Sequence, residues 1–200
     1  WLKYVRAIMT NNRVTDEVLI KEFQNGNRNS YTQLVTRYRD KIISFLYRYM
    51  HDMDSAEDLA QETFFKVYLK KDSYKETYKF STWLFTIAAN LAKTELRKLK
   101  RRKTSSISDI NEDGTSENIF IDEDNTEKSS NNESKIIQKA LSELEHDYKI
   151  IIILREIQEL SYDVISKILQ LPLGTVKSRI NRGKLKLREI LINYGVKNYK

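Results

Sequence analysis

The 200-residue sequence has no cysteine, two histidines, one proline and five glycines. Without cysteine there is no disulfide scaffold, thiolate metal site or cysteine nucleophile, and the composition suits a reducing cell interior. His51 and His146 are too few for a histidine-rich metal site, so we predict no metal and no cofactor. The scarcity of glycine and proline leaves little material for the tight turns of a β-sandwich, so helices should dominate.

Long apolar runs are also missing. No segment reaches the ~18 residues of a membrane span, and residues 1–12 lack the apolar core and cleavage site of a signal peptide. We therefore expect a cytoplasmic protein without membrane insertion. The sequence has many carboxylates but no nucleophile–base constellation, no HExxH, no glycine-rich phosphate loop and no GxSxG, which argues against an enzyme.

The net charge of +7 hides an uneven distribution along the chain. Residues 1–103 carry +9 and residues 135–200 carry +6, whereas residues 104–134 carry −8. In a single basic segment, the excess of lysine and arginine could simply be a solvent-exposed surface. Two basic segments joined by an acidic one instead favour a polyanionic partner such as nucleic acid.

The acidic segment, residues 104–134, contains seven serines, few apolar residues and no sustained period. Such a stretch buries too little apolar surface to offset the entropy of ordering it. It predicts a flexible linker of 31 residues. The linker separates two small domains, residues 16–103 and 135–200, and residues 1–15 form an N-terminal extension.

Apolar residues in the first domain recur at three- and four-residue steps, which is helical periodicity. A break at residues 26–30 divides the first run into two helices. Asp54 or Ser55 can cap a third helix, and Ser81 with Thr82 opens a fourth.

The second domain shows four more helical segments, at residues 136–144, 148–157, 162–169 and 176–191. Its run of four isoleucines and a leucine, residues 150–154, has strand propensity by itself. Because the apolar pattern continues helically through Ile157, we interpret the run as a buried helix. The predicted fold class is all-α, with two small helical domains.

The strongest physical signal lies at residues 160–192. Ser161 can cap one helix, residues 170–174 break the chain, and Thr175 can cap a second helix from Val176. This is a helix-turn-helix pattern. Its second helix carries polar and basic side chains outward and on its flanks: Lys177, Ser178, Arg179, Asn181, Arg182, Lys184 and Arg188. Such a helix can contact phosphates and base edges in a major groove, and the alternative is a solvated αα-hairpin.

A second basic concentration lies further upstream, where six of the seven residues 97–103 are cationic. Cations at a helix C-terminus are favoured by the helix dipole, but six exceed what the dipole requires. Before them, Tyr68, Tyr74, Tyr78, Phe80 and Trp83 interleave with lysines, a mixture that binds single-stranded nucleic acid. Most of these aromatic residues would serve equally well in the core, and Phe80 and Trp83 fit the core better.

The third feature is an acidic face on a basic domain. Asp58, Gln61, Glu62 and Phe65 stand at positions i, i+3, i+4 and i+7 of a helix, with Glu57 beside them. This face would repel phosphate. A solvated surface is the common explanation for such charges, but an exposed aromatic residue among them favours a basic protein partner.

Together these segments resemble bacterial RNA polymerase sigma factors of the extracytoplasmic-function group, in the sigma-70 family. The resemblance runs from residue 16 to about residue 192. It rests on DSAEDLAQETF, FSTWLFTIAANLAKTELRKLKRR, ALSEL, LREIQELSYDVISKIL and LPLGTVKSRINRGKLKLREIL. It implies that residues 16–103 are sigma region 2 and that residues 135–200 are sigma region 4.

The resemblance also implies which residues make each contact. Region 2 would dock on the clamp coiled coil of the polymerase β′ subunit through Glu57, Asp58, Gln61, Glu62 and Phe65. It would melt and read the minus-ten promoter element through Tyr74, Lys79, Trp83, Asn90, Thr94, Arg97, Lys98 and Arg101. Region 4 would read the minus-thirty-five element through Thr175, Lys177, Ser178, Arg179, Asn181, Arg182 and Lys184, and would also hold the β flap.

Further expectations from the family concern regulation and the linker. An anti-sigma factor is expected to control such a protein in a stress or envelope response. The linker is expected to pass through the RNA exit path of the polymerase, where its acidic side chains can occupy the place of the negatively charged nucleic acid.

Two departures from the family pattern stand out. Glu145 follows Leu144 where the family usually has proline, and the nearby arginine position is taken by Lys149. Gly183 stands where alanine is common, at a cost of ~1 kcal/mol in helix propensity.

Two other classes of protein remain open on the residues alone. A stand-alone helix-turn-helix repressor or activator would bind duplex DNA without polymerase, and it would not need the acidic face around Asp58. An RNA-binding or nucleotidyl-transferring enzyme would need a metal-binding carboxylate pair opposite a phosphate cradle, and the sequence shows neither.

The linker prediction can be tested by limited proteolysis of the intact protein. If residues 104–134 are flexible, a protease should cut there first and yield two helical fragments, since exposed polar segments are cleaved before packed ones. Resistance throughout this stretch would mean that it packs, and the division into two domains would be wrong.

Overall fold

The computed structural model describes the backbone of residues 14–108 and 130–196 and the side chains of residues 14–102 and 134–196. Within these ranges the chain has no β-strand, which confirms the predicted all-α class. The α-helices follow in the order Asp16–Gln24 (α1), Arg28–Met50 (α2), Met53–Leu69 (α3), Phe80–Ser108 (α4), Ser130–Glu143 (α5), His146–Ile152 (α6), Tyr162–Leu169 (α7) and Leu173–Asn193 (α8). A membrane-spanning helix, long and apolar enough to cross a bilayer, does not occur among these described elements.

The first domain, α1 to α4, is built around the long helix α2, which contacts the other three helices. Its core is made of apolar side chains that recur at helical spacing and are fully buried, including Leu19, Ile20, Phe23, Leu34, Ile42, Phe45, Leu46, Ala56, Val67, Phe80 and Leu84. The periodicity of the sequence therefore identified the buried face of each helix.

The break between α1 and α2 covers residues 25–27 and so ends earlier than the predicted break at residues 26–30. Gly26 has a φ of +101°, a conformation that glycine adopts without strain. Asn27 then caps α2 by accepting the amide hydrogen of Asn29 at 3.1 Å. The asparagine cap explains why α2 begins immediately after the turn.

Helix α3 begins at Met53, so its cap lies two residues before Asp54, the nearer of the two predicted caps. The cap is Asp52, whose carboxylate accepts the backbone amide hydrogen of Ser55 at 2.9 Å. Hydrogen bonds from the Ser55 side chain and backbone hold the pKa of Asp52 below its usual value.

Helix α4 begins at Phe80, one residue before the predicted start at Ser81. A carboxylate from another helix supplies its cap, because Glu17 of α1 accepts the amide hydrogen of Phe80 at 3.2 Å. A partner 63 residues away in the chain leaves no local signal in the sequence.

The second domain, α5 to α8, contains the predicted helix-turn-helix. Ser161 caps α7 as predicted, its hydroxyl accepting the amide hydrogen of Val164 at 3.4 Å. Gln170 ends α7 in the left-handed conformation, with a φ of +55°. Helix α8 starts at Leu173, before the predicted cap Thr175, and Pro172 occupies the N-cap position with an extended ψ of 142° and no side-chain cap hydrogen bond.

The run of five aliphatic residues, Ile150 to Leu154, is helical and fully buried, which confirms its interpretation as a buried helix. It lies across the end of α6 and the start of a π-helical turn, Ile153–Ile157. Helix α8 covers α6 on one side, and α2 of the first domain contacts both α6 and the π-helical turn on another.

The helices extend into both ends of the predicted linker, residues 104–134. The α4 backbone is helical through Ser108, and α5 already begins at Ser130. Residues 1–13 and 109–129, including most of the linker, lie outside the described residues.

The two domains pack against each other. Helix α7 contacts α4, while α5 and α6 contact α2. Buried residues of both domains belong to one continuous hydrophobic cluster. This contact was not predicted from the sequence.

Glu159 sits between the π-helical turn and α7 with a φ of +54°, a conformation that costs a non-glycine residue roughly 1–2 kcal/mol. Glu159→Gly should therefore raise the free energy of unfolding by roughly 1 kcal/mol, seen as a higher urea midpoint. The matched control is Asp163→Gly inside α7, which should lower stability by about 1 kcal/mol. A lower midpoint for Glu159→Gly would show that its backbone is not strained.

Candidate nucleic-acid and protein interfaces

Helix α8 turns its apolar stripe inward and its polar residues outward. Val176, Ile180, Gly183 and Leu191 are buried. The exposed side chains on the other faces include Lys177, Ser178, Asn181, Arg182 and Lys184, as their spacing predicted. Thr175 and Arg179 are half-buried. The helix therefore presents a polar, cationic surface on the outside of the second domain.

The cations of α8 are not equivalent. Three of them pair with acids of their own domain: Arg179 with Asp147 at 3.0 Å, Lys184 with Glu156 at 2.9 Å, and Lys186 with Glu145. Lys177 and Arg182 form no such ion pair with any residue whose side chain the structure describes. Lys177 and Arg182 can therefore contact a phosphate or a base without first losing a carboxylate partner.

Gly183 allows α8 to approach α6 closely. A Cβ atom on this residue would lie 3.0 Å from Cγ1 of the buried Ile152 and 3.4 Å from Cβ of Tyr148. Gly183 therefore lowers the helix propensity of α8, as the sequence predicted, but it also lets α8 pack more tightly against α6.

Helix α4 carries a polar stripe. Its exposed residues Asn90, Thr94, Arg97, Lys98 and Arg101 recur at three- and four-residue steps, so they share one face. Lys98 pairs with Glu95 at 3.1 Å, and the Thr94 hydroxyl donates to the Asn90 carbonyl at 2.8 Å. The stripe ends in the basic run that begins at Arg97.

The loop before α4 contributes differently from what the sequence predicted. Lys79 is exposed and Trp83 is half-buried, but Tyr74 is only 6% exposed. Its ring packs against Phe80 and Trp83, and its hydroxyl donates to the carbonyl of Tyr78 at 2.8 Å. Burial, with a smaller contribution from nearby carboxylates, raises the pKa of Tyr74 to about 12. In this structure Tyr74 is a core residue, and its ring is not available to stack on a base.

The acidic face of α3 is exposed along its full length. Glu57, Asp58, Gln61 and Glu62 are all exposed, and Phe65 is 59% exposed beside them. Glu62 also pairs with Lys66, one helical turn on, at 3.2 Å. No apolar neighbour therefore covers Phe65, which lies at the edge of a carboxylate-rich surface.

An apolar groove runs beside this acidic face, between α2 and α3. Most of its lining is apolar and comes from both helices: Tyr31, Val35, Ile43, Ala60, Phe64, Phe65 and Tyr68. Arg39, Glu57 and Gln61 complete the lining, so the groove adjoins the acidic face directly. The sequence analysis did not identify the groove. Periodicity indicates which side of a helix is apolar, but it could not show that this side of α2 stays partly open next to Phe65.

The described residues contain no group of three or more histidine, aspartate or glutamate side chains placed to hold a metal ion.

Comparison with known proteins identifies the family. The sigma-70 region 2 profile matches residues 34–102, and the sigma-70 region 4 profile matches residues 134–187. The ECF RNA polymerase sigma factor SigW of Bacillus subtilis is 37% identical over 179 residues, covering 86% of this chain and 94% of SigW. The ECF RNA polymerase sigma-E factor of Escherichia coli K12 is 34% identical over 184 residues, covering 86% and 92%. The chain therefore belongs to the extracytoplasmic-function group of the sigma-70 family of RNA polymerase sigma factors.

Solved structures share the arrangement of helices. RpoE in complex with the anti-sigma factor NepR, from Bartonella quintana, gives a TM-score of 0.65 at 28% identity, covering 80% of this chain and 96% of that chain. CnrH in complex with the cytosolic domain of CnrY gives a TM-score of 0.67 at 21% identity, covering 89% and 97%, and supports the fold alone.

Proposed function

We propose that this protein is an alternative sigma factor that binds core RNA polymerase and directs it to a specific set of promoters. The observation that carries the proposal is that this member of the family has an acidic surface and two cationic surfaces, each on a different helix. The exposed acidic face of α3, with Phe65, is suited to a protein, whereas the cationic faces of α4 and α8 are suited to DNA.

On this proposal, α3 docks on the clamp coiled coil of the β′ subunit. The apolar groove between α2 and α3 adds contact area next to the acidic residues, so that a basic and partly apolar helix could bind both. The second domain holds the β flap. The protein itself performs no catalysis, and it acts in the cytoplasm, where core polymerase is found.

The two DNA-reading helices act on different states of the promoter. Helix α8 enters the major groove of the duplex minus-thirty-five element, and Arg182 is the arginine best placed to read a base. Helix α4 and the loop before it read the minus-ten element as separated strands, where Asn90 and the half-buried Trp83 can meet unpaired bases.

An anti-sigma factor is part of the proposal as well. RpoE was solved with NepR, and CnrH with the cytosolic domain of CnrY. A corresponding regulator for this protein would release it in response to a stress or envelope signal.

The direct test is transcription in vitro with purified core polymerase. The protein should yield promoter-dependent transcripts, and Asp58→Lys with Glu62→Lys should abolish them by preventing association with the core, because both side chains lie on the exposed face of α3. The matched control reverses Asp40 and Asp163, two exposed acids elsewhere, and should leave core binding intact. Unchanged binding after reversal of Asp58 and Glu62 would rule out this docking face.

A substitution in the core serves as a control that distinguishes loss of core binding from loss of the folded structure. Leu59→Ala on the buried side of α3 should lower stability by ~2–5 kcal/mol, whereas the charge reversals should leave the unfolding midpoint nearly unchanged.

The division of labour between α8 and α4 gives a second test. Arg182→Ala should weaken binding to the upstream duplex by ~1–3 kcal/mol and relax the preference at one base pair. Asn90→Ala should leave that binding nearly intact and instead reduce the permanganate reactivity of unpaired thymines. Equal loss of duplex binding in both variants, with no strand opening in the unsubstituted protein, would favour a stand-alone repressor.

A further inference from the structure

The loop between α3 and α4, residues 70–79, leads directly into the helix that reads the minus-ten element on the proposed function. All its side chains from Lys75 to Lys79 are exposed. Its regular structure is a 3₁₀ turn, Lys71–Ser73. A loop with so few hydrogen bonds of its own keeps one conformation only if neighbouring elements hold it.

Helix α1 holds this loop through two side chains that bond in opposite directions. Gln24, the last residue of α1, donates from Nε2 to the carbonyl of Lys71 at 2.7 Å and to the carbonyl of Tyr74 at 3.2 Å. Lys71 donates from Nζ to the carbonyl of Phe23 at 3.0 Å and to that of Gln24 at 3.2 Å. We refer to Gln24 and Lys71 as the anchor pair. Each member of the pair satisfies backbone carbonyls of the element that carries the other.

The direction of the Lys71 amine separates this residue from the other lysines of the loop. Its Nζ lies 4.9 Å from the centre of the Phe23 ring, and the residue is half-buried. The carbonyls at the end of a helix carry partial negative charge, so the end of α1 favours a cation there. Lys70, Lys75 and Lys79 are exposed instead. Lys71 is therefore directed at protein, whereas the exposed lysines are able to contact phosphate.

Helix α1 is itself fixed to α2, and it also holds the far end of the loop. The Asp16 carboxylate of α1 accepts hydrogen bonds from Arg37 at 2.9 Å and from the Tyr38 hydroxyl at 2.5 Å. The next residue, Glu17, accepts the amide hydrogen of Phe80, where the loop ends, at 3.2 Å. One helix therefore holds the loop at both ends, and that helix cannot move independently of α2.

The loop and the N-terminal end of α1 line the same cleft, which has a volume of about 610 Å³. Residues 76–79 contribute to its walls together with residues 14–17, Arg37 and Tyr38. A shift of the loop relative to α1 would change the width of this cleft and the directions of the Tyr78 and Lys79 side chains. The shape of the surface before α4 therefore depends on how α1 holds the loop.

We propose that the anchor pair fixes the loop 70–79 in one conformation before DNA binds, and that this preorganisation sets how strictly the protein discriminates among bases of the minus-ten element. Gln24 and Lys71 act as positioning residues, because their polar atoms bond to protein backbone. A binding surface of fixed geometry discriminates more sharply than a movable one, since a movable loop adapts to a wrong base with little loss of affinity. The proposal rests on the proposed function, which assigns this loop and α4 to the minus-ten element.

The test removes each half of the anchor pair at nearly constant side-chain length, with Gln24→Met and Lys71→Met. Core polymerase reconstituted with the 200-residue chain is mixed with single-stranded oligonucleotides that carry six random positions, and the bound fraction is sequenced. The unsubstituted complex should enrich one base over the others at particular positions. Each Met variant should lower that enrichment about threefold or more, the effect of losing one or two hydrogen bonds.

A matched control uses another contact between α1 and the loop. Lys21 and Glu76 form an ion pair at 3.5 Å, but both side chains are more than 60% exposed. Exposed pairs of this kind contribute little, so Lys21→Met should leave the base preference unchanged. Lys71→Arg retains N–H donors for the α1 carbonyls and should keep most of the enrichment that Lys71→Met loses. Equal loss in Lys71→Arg and Lys71→Met would overturn the role of these hydrogen bonds.

The salt dependence of binding separates a positioning role from a phosphate contact. Loss of a phosphate contact weakens binding to every single-stranded sequence and reduces the slope of log K against log salt concentration by about 0.7. Lys79→Met should have this effect and keep the base preference. Lys71→Met should keep the slope and lose the preference. A reduced slope with unchanged preference in Lys71→Met would overturn its positioning role.

Amide hydrogen exchange of the free protein tests the fixed conformation without DNA or polymerase. The amides of Ser73 and Tyr74 donate to carbonyls three residues back, at 2.9 and 3.1 Å. They should exchange at least threefold faster in Gln24→Met and Lys71→Met, whereas the amides of α8 should exchange at unchanged rates. Equal rates at Ser73 and Tyr74 in all three proteins would overturn the proposal. If the unsubstituted complex enriched no sequence, the proposed function would fail, while these rates would still decide whether α1 fixes the loop.

Discussion

A helix that is apolar on every side must be covered on every side, and Ile150 to Leu154 form such a segment. Helix α8 covers part of it, and α2 of the first domain contacts α6 and the π-helical turn. Helix α8 is therefore fixed against this segment, and Gly183 allows a close approach between them. Packing of the second domain on the first buries apolar surface of the same segment, which favours the contact between the domains.

The functional surfaces lie on the faces that this packing leaves outside. Helix α3 presents carboxylates with an exposed phenylalanine, while α4 and α8 present cations and amides. Surfaces of opposite charge on one small protein suit different partners, since α3 would repel a phosphate backbone and α8 would repel a basic partner. Ion pairs within the second domain divide the cations further, because Arg179 is held by Asp147 while Arg182 is free to reach outward.

Much of the fold could be predicted because apolar spacing reports which face of a helix is buried. The helices and the buried character of residues 150–154 follow from it, and the cap at Ser161 follows from a serine placed just before an apolar periodic run. Contacts between distant residues could not be predicted in the same way. Neither the Glu17 carboxylate that caps α4 nor the packing between the domains leaves a local pattern in the sequence. A tyrosine among lysines also gives the same sequence pattern whether its ring is buried, as in Tyr74, or exposed.

The central claim is that core polymerase docks on the acidic face of α3. Amide hydrogen exchange of the protein, alone and with core polymerase, tests it most directly. Slower exchange at residues 57–65 in the presence of core polymerase is the predicted result. Unchanged exchange throughout these residues would contradict the account.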